Sequence, residues 1–235
     1  MLFRSEDGNT VTPGLRKGQT AIGNFRLTLK EAAGQSADYP VAAVPADLYY
    51  DRLSVEAKTG QKSRPKASLI KNTSVVRFRI TEETVDSGKG SRALTNPLPC
   101  EISITGGNTM ISYENKIAEQ APTYRYLPIE TRETIDNTQW EVDYGMMRLV
   151  IGNTVPVVIR DLATGLTLVD SNLISLILAY HEKYGSQTDI DREDLFEIDV
   201  IITRDPSKGG NDLTVTIKVA GWVVVKIVPN PEFNS

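Results

Sequence analysis

The sequence predicts a mainly β protein made of two successive sandwich-like halves, with one α-helix in the second. Three observations carry this. Short runs in which apolar and polar residues alternate recur along the 235-residue chain, the pattern of a half-buried strand. Clusters of Gly, Pro, Asn and Asp separate the runs and read as turns. Only one segment, near residue 175, changes to a helical period.

In chain order, residues 1–20 are polar and turn-rich, and Phe25, Leu27 and Leu29 alternate with Arg26, Thr28 and Lys30 as a first strand. Val41 to Val44 is a short apolar piece, and Leu48-Tyr49-Tyr50 and Leu53-Ser54-Val55 follow as strands. After a basic loop, Val76, Phe78 and Ile80 alternate with Arg77 and Arg79. Glu82 to Pro99, with Gly88, Gly90, Pro97 and Pro99, reads as a long loop. Ile102 and Ile104, the turn Gly106-Gly107-Asn108 and Met110-Ile111 suggest a hairpin. Periodicity lapses over residues 115–139, which places a linker at 126–139 between a first domain, 1–125, and a second, 140–235.

In the second half, Trp140–Val142, Met147–Ile151, Pro156–Ile159 and Leu166–Leu168 read as strands. Leu173, Leu176, Ile177, Tyr180 and Tyr184 form one helical stripe over residues 172–184, with Asp170 or Ser171 as cap and Gly185 at its end. Phe196, Ile198, Val200 and Ile202 alternate again, and a glycine-rich turn joins them to Leu213, Val215, Ile217 and Val219. Ala220-Gly221 interrupts that run, which resumes as Trp222 to Val225 and ends before Pro229 and Pro231.

Composition narrows the function. A net charge of −4 gives no basic footprint for nucleic acid, and no apolar run approaches the roughly 20 residues of a spanning helix. One cysteine, Cys100, excludes an internal disulfide, and one histidine, His181, lacks a nucleophile motif beside it. Asp189, Asp191, Glu193 and Asp194 lack the glycine and closing glutamate of a calcium loop and read as a solvated turn. Lys58, Lys62, Arg64 and Lys66 read likewise as a solvated basic loop. No catalytic, cofactor-binding or metal residues are assigned. Tyr49, Tyr50, Tyr124, Tyr126, Trp140 and Trp222 could form a sugar-stacking platform, but core packing is the favoured reading for Trp222.

Laid out this way, VPADLYYDRLSVEA with SLIKNTSVVRFRI, then VVIRDLATGLTLVDSNLISLIL, then LFEIDVII and LTVTIKVAGWVVV, resemble in order and spacing the FimB-type minor-subunit and anchor family of Bacteroidales fimbriae, relatives of fimbrillin. The resemblance implies two transthyretin-like β-sandwich domains, a lipid anchor on the outer membrane, and a role in fimbrial assembly, length control or attachment, with other fimbrial subunits as partners. Family members carry a lipidated cysteine and several strands ahead of the point where this sequence starts. The resemblance therefore implies a first sandwich truncated at its start, whose strands Phe25–Leu29 or Val75–Ile80 would border an open groove, and an anchor absent from this chain.

Two functional classes follow. The first is a structural subunit or anchor that works by strand pairing, with Leu213, Val215, Ile217, Val219, Trp222 and Val224 as candidate subunit contacts. The second is a surface-lipoprotein module that binds glycan or host protein, which exposed aromatics clustered at one tip would favour. A hydrolase would need a pocket joining His181 to a carboxylate and a hydroxyl.

Overall fold

In the computed structural model the described residues are 10–11, 21–32, 38–54, 59–60, 62, 64–86, 91–95, 100–133, 139–184, 190, 193–205 and 213–229. Two layers face each other. The larger is a seven-stranded sheet built from β5 (Thr73–Asp86), β6 (Ser91–Thr95), β10 (Pro128–Glu133), β11 (Gln139–Met147), β14 (Leu195–Arg204), β15 (Leu213–Val219) and β16 (Trp222–Ile227). Its order is β10-β11-β5-β14-β15-β16, with β6 beside the far end of β5. The smaller sheet has the order β13-β12-β7-β9, where β7 is Cys100–Gly106, β9 Tyr124–Tyr126, β12 Pro156–Asp161 and β13 Thr167–Asn172. A three-stranded sheet of β1 (Thr10–Val11), β2 (Arg26–Leu29) and β8 (Met110–Ser112) and a ribbon of β3 (Tyr49–Tyr50) and β4 (Ile70–Lys71) complete the described strands.

The alternation read from the sequence is the alternation of burial. Val76, Phe78 and Ile80 of β5, Ile198, Val200 and Ile202 of β14 and Leu213, Val215, Ile217 and Val219 of β15 all point inward and are buried. The inner faces form one continuous core, in which the Tyr144 ring meets Phe78 edge-on at 6.0 Å. The Tyr144 hydroxyl crosses between the layers and donates to the Ile102 carbonyl at 2.9 Å.

Four strands cannot cover seven. The uncovered end is filled by α1 (Leu173–Tyr184), which leaves β13 and packs on β15 and β16. Leu173, Ile174, Leu176 and Ile177 are its buried stripe. Its cap is Asn172, whose Oδ1 accepts from the Ile174 N–H at 3.2 Å and the Val155 N–H at 3.0 Å. Asp170 and Ser171, the caps expected from sequence, are instead ladder residues of β13 paired with Val158 and Val157. Gly185 lies outside the described residues.

Strand pairing cuts across the division expected at 126–139. β5 from the first segment lies between β11 and β14 from the second, antiparallel to one and parallel to the other. β7 likewise pairs with β12. The supposed linker contains β10 and begins at the last residue of β9, and residues 134–138 are outside the described set. Among the described residues neither strand borders the expected open groove, since β2 is flanked by β1 and β8 and β5 by β11 and β14.

Other expectations change for local reasons. The segment read as a long loop holds the end of β5 and its partner β6; the inward Glu82 broke the apolar pattern there, and it is matched by Arg204. β7 and β8 are not a hairpin but belong to different sheets. Between them Asn108 is buried and donates to the Met147 carbonyl at 2.7 Å, which pulls the chain from one layer to the other. Leu53 and Ser54 are exposed and form no strand, and Arg148–Ile151 leave the sheet after β11. The last apolar run is two strands: Ala220 (φ 49°) and Gly221 (φ 81°) form a two-residue turn between β15 and β16. Both positive φ values match the primed hairpin turns.

Two stability measurements follow. Ile177→Ala removes a buried side chain beneath the sheet and should cost about 2–5 kcal/mol in chemical denaturation. Ala220→Asn should raise the thermal midpoint, since Asn tolerates the left-handed conformation that strains Ala.

Candidate functional site

The two ends of the large sheet differ in chemistry. β10, at one end, begins with Pro128 and carries Glu130, Arg132 and Glu133, nearly all exposed. Proline and charge discourage further strand addition. β16, at the other end, reads Trp-Val-Val-Val-Lys-Ile, and β15 is its only partner strand among the described residues. Its one charged residue is Lys226.

The six candidate contact residues separate accordingly. Leu213, Val215, Ile217 and Val219 sit on β15 between two strands with their side chains in the core, so they hold the sheet and do not present a surface. Trp222 and Val224 lie on the end strand; Val224 is half-buried against the core and Trp222 is 54% exposed. The expected core role of Trp222 is thus corrected. It follows a two-residue turn at the tip of the hairpin. Beside that tip a cavity of about 170 Å³ is lined by Ile177 and Tyr180 of the helix, Leu195, Phe196, Val219 and Ala220, together with Glu193 and Glu197. Leu195 is itself exposed. Strand and ring form an apolar margin at one corner of the sandwich, with two glutamates on the cavity beside it.

The outer face of the same sheet carries charge in alternating rows. Arg132 of β10 meets Glu141 and Asp143 of β11; these meet Arg79 and Arg77 of β5; and these meet Asp199 and Glu197 of β14. Arg77 grips Asp143 with two parallel bonds of 2.8 Å, from Nε and Nη2. These bonds and the neighbouring arginines hold the Asp143 carboxyl below its ordinary pKa and raise Arg77 above its own. Sequence reading saw the outward arginines but not their partners, because the rows arise only from the registers β5/β11 and β5/β14. The signal available was an acidic residue at outward positions of strands far apart in sequence, Glu141 and Asp143, Glu197 and Asp199.

Between the layers lies a second polar group. Asp161 is fully buried, accepts from the Ala163 N–H and the Thr164 hydroxyl, and faces Arg204 at 3.9 Å. Arg204 also binds Glu82. Cys100, opposite Asp161 in register, is buried and its thiol is pushed up to about 12 by burial and by the nearby carboxylates. This arrangement joins the sheets and is not poised for nucleophilic chemistry.

The remaining candidates do not converge. Of the six aromatics, Tyr50 and Tyr126 are buried, Tyr124 and Trp140 half-buried, and the exposed Tyr49 and Trp222 belong to different sheets. The side chain of His181, and Lys58, Asp189 and Asp191, are outside the described residues, while Glu193, Asp194, Lys62, Arg64 and Lys66 are exposed. Among the described residues no group of His, Cys, Asp and Glu is arranged to hold a metal, and no helix is long and apolar enough to cross a membrane.

These features define a β-sandwich whose most available element is a strand edge, the makings of a surface assembly or adhesion module. The family of fimbrillin-A associated anchor proteins, Mfa1 and Mfa2, matches residues 5–228, and the chain belongs to it. Among solved structures, the fimbrial anchor protein Mfa2 of Porphyromonas gingivalis is similar over 96% of this chain and 75% of its own, at 16% identity and TM-score 0.67. A proposed polysaccharide-binding protein of Bacteroides thetaiotaomicron is similar over 99% and 76%, at 21% identity and TM-score 0.67. A proposed adhesin of the same organism is similar over 94% and 72%, at 19% and 0.64. No curated protein matches the chain in sequence.

The Asp143 pair has a pH signature. A depressed folded pKa contributes stability above the ordinary carboxylate value, about 4, and loses it as pH falls through the lower folded value. Asp143→Asn should therefore lower stability at neutral pH by about 1.5–3 kcal/mol and flatten the loss of stability below about pH 4, read from urea midpoints across pH. Cys100, protonated and buried, should react with a thiol reagent at neutral pH only as fast as the protein unfolds.

Proposed function

We propose that the chain is an anchoring or minor structural subunit of a cell-surface fimbria and that it joins its neighbours by strand pairing at β16. The observation that supports this is the contrast between the two sheet ends: β10 is blunted by proline and charge, whereas β16 has a single charged residue, half-buried valines and an exposed tryptophan. Pairing there would supply affinity through main-chain hydrogen bonds, and alternate side chains would set register. Trp222 would be the anchor, because a large ring at a rim gains much of its area only when a partner covers it. The role is structural, and held on the surface through the lipid anchor that the family resemblance implies for its longer members.

The exposure of Trp222 makes a point substitution informative. Trp222→Lys should cost about 1 kcal/mol or less, leave circular dichroism unchanged, and abolish incorporation of the subunit into fimbriae in a complementation assay. A folded variant that assembles normally would exclude this edge as the contact. Deleting β16 would be a poorer test, since α1 and β15 rest on it.

A further inference from the structure

The three-stranded sheet, at β2 and β8, borders a cleft of about 620 Å³ that the strand-pairing role does not use. One wall is β2, with Arg26 and Thr28; the other is the hairpin that begins with β8 and returns through Lys116 to Ala118. The volume lies in the range of ligand sites, roughly 300–1,000 Å³.

We propose that this cleft binds a neutral oligosaccharide. The charges of its lining cancel: Arg26 and Lys116 face Glu114 and Glu119. Most are already engaged, Arg26 with the Gly23 and Phe25 carbonyls at 2.8 Å and Lys116 with Glu114 at 3.3 Å. No surplus charge is left to attract an anion or a cation. What remains are hydroxyl-seeking groups: the Glu119 carboxylate and the Gln120 amide, which are exposed and make no side-chain hydrogen bond among the described residues. Tyr113 supplies the aromatic ring on which an apolar sugar face could stack. An acceptor and an amide in a lining whose charges balance, beside one aromatic ring, suit a polyhydroxylated, uncharged ligand.

The cleft is also held in shape from beneath. Asn115, at the tip of the hairpin, is buried in a left-handed conformation (φ 63°). The Arg148 Nη2 donates to its carbonyl at 2.7 Å and the Asn72 Nδ2 to its Oδ1 at 2.6 Å. The Tyr50 hydroxyl donates to the Tyr113 carbonyl at 3.1 Å. Arg148 is 7% exposed and has no carboxylate within ion-pair distance among the described residues. A buried guanidinium spent on one loop carbonyl is costly for stability alone, and a loop held from beneath in this way is preorganised.

The test is saturation-transfer NMR on the whole chain with maltopentaose, cellopentaose, mannopentaose and chitopentaose, and with trigalacturonic acid as the acidic control. At least one neutral oligosaccharide should show transfer. Tyr113→Ala and the exposed Glu119→Gln should each weaken it about tenfold or more, the worth of one good contact, in proteins whose circular dichroism is unchanged. Absence of transfer to every neutral probe, equal binding of the acidic one, or binding that survives both substitutions would overturn the proposal. Because Trp222 takes no part in this cleft, its assembly test and this one fail separately.

Discussion

The parallel pairing of β5 with β14 is the constraint on which the rest depends. It brings Val75–Thr84 beside Leu195–Arg204 and so closes the chain on itself across more than a hundred residues of sequence. Every other strand of the large sheet takes its place from this seam: β11 and β10 build outward on one side, β15 and β16 on the other. The seam is doubly enforced. Inside, Phe78, Ile80, Ile198 and Val200 share the core; outside, Arg77 and Arg79 stand between acidic rows from both neighbours. A register slip by one residue would send arginines into the core and phenylalanine into water.

The same asymmetry of faces governs the margins. Where the opposing four-stranded sheet stops, the helix takes over, and it shields the inner side of β15 and β16. At the tip of the hairpin and the start of β14, Trp222 and Leu195 are exposed. The exposed corner thus lies where a wide layer meets a narrow one.

The elements readable from sequence were those that bury one face and wet the other. β2, the first half of β5, β14, β15 and the helix all show their period plainly. What stayed hidden depends on partners. The end of β5 is a strand because Glu82 finds Arg204 inside the sandwich, and no local pattern announces that. β10 is exposed on nearly every residue, so it carries no alternation and read as linker, and with it went the two-domain division. β7 and β8 look like a hairpin until Asn108 is seen bonded to Met147. Gly221 flagged an interruption, but that Ala220 shares its positive φ is a matter of conformation, not residue type. Of the candidate contacts, the apolar character of Leu213 to Val224 was evident; which of them face a partner required the sheet order.

The β5–β14 seam also sets a clock. β5 ends at Asp86 and β14 begins at Leu195, 195 − 86 = 109 residues later. At a synthesis rate of about 5–20 residues per second, β5 waits roughly 5–20 s for its neighbour to exist. During that interval Val-Val-Arg-Phe-Arg-Ile is a β-prone segment without its final partner. Arg77 and Arg79, which later pair across the sheet, are then the gatekeepers that keep nascent chains from pairing with one another. The residues that lock the finished register first serve to keep the strand vacant for it.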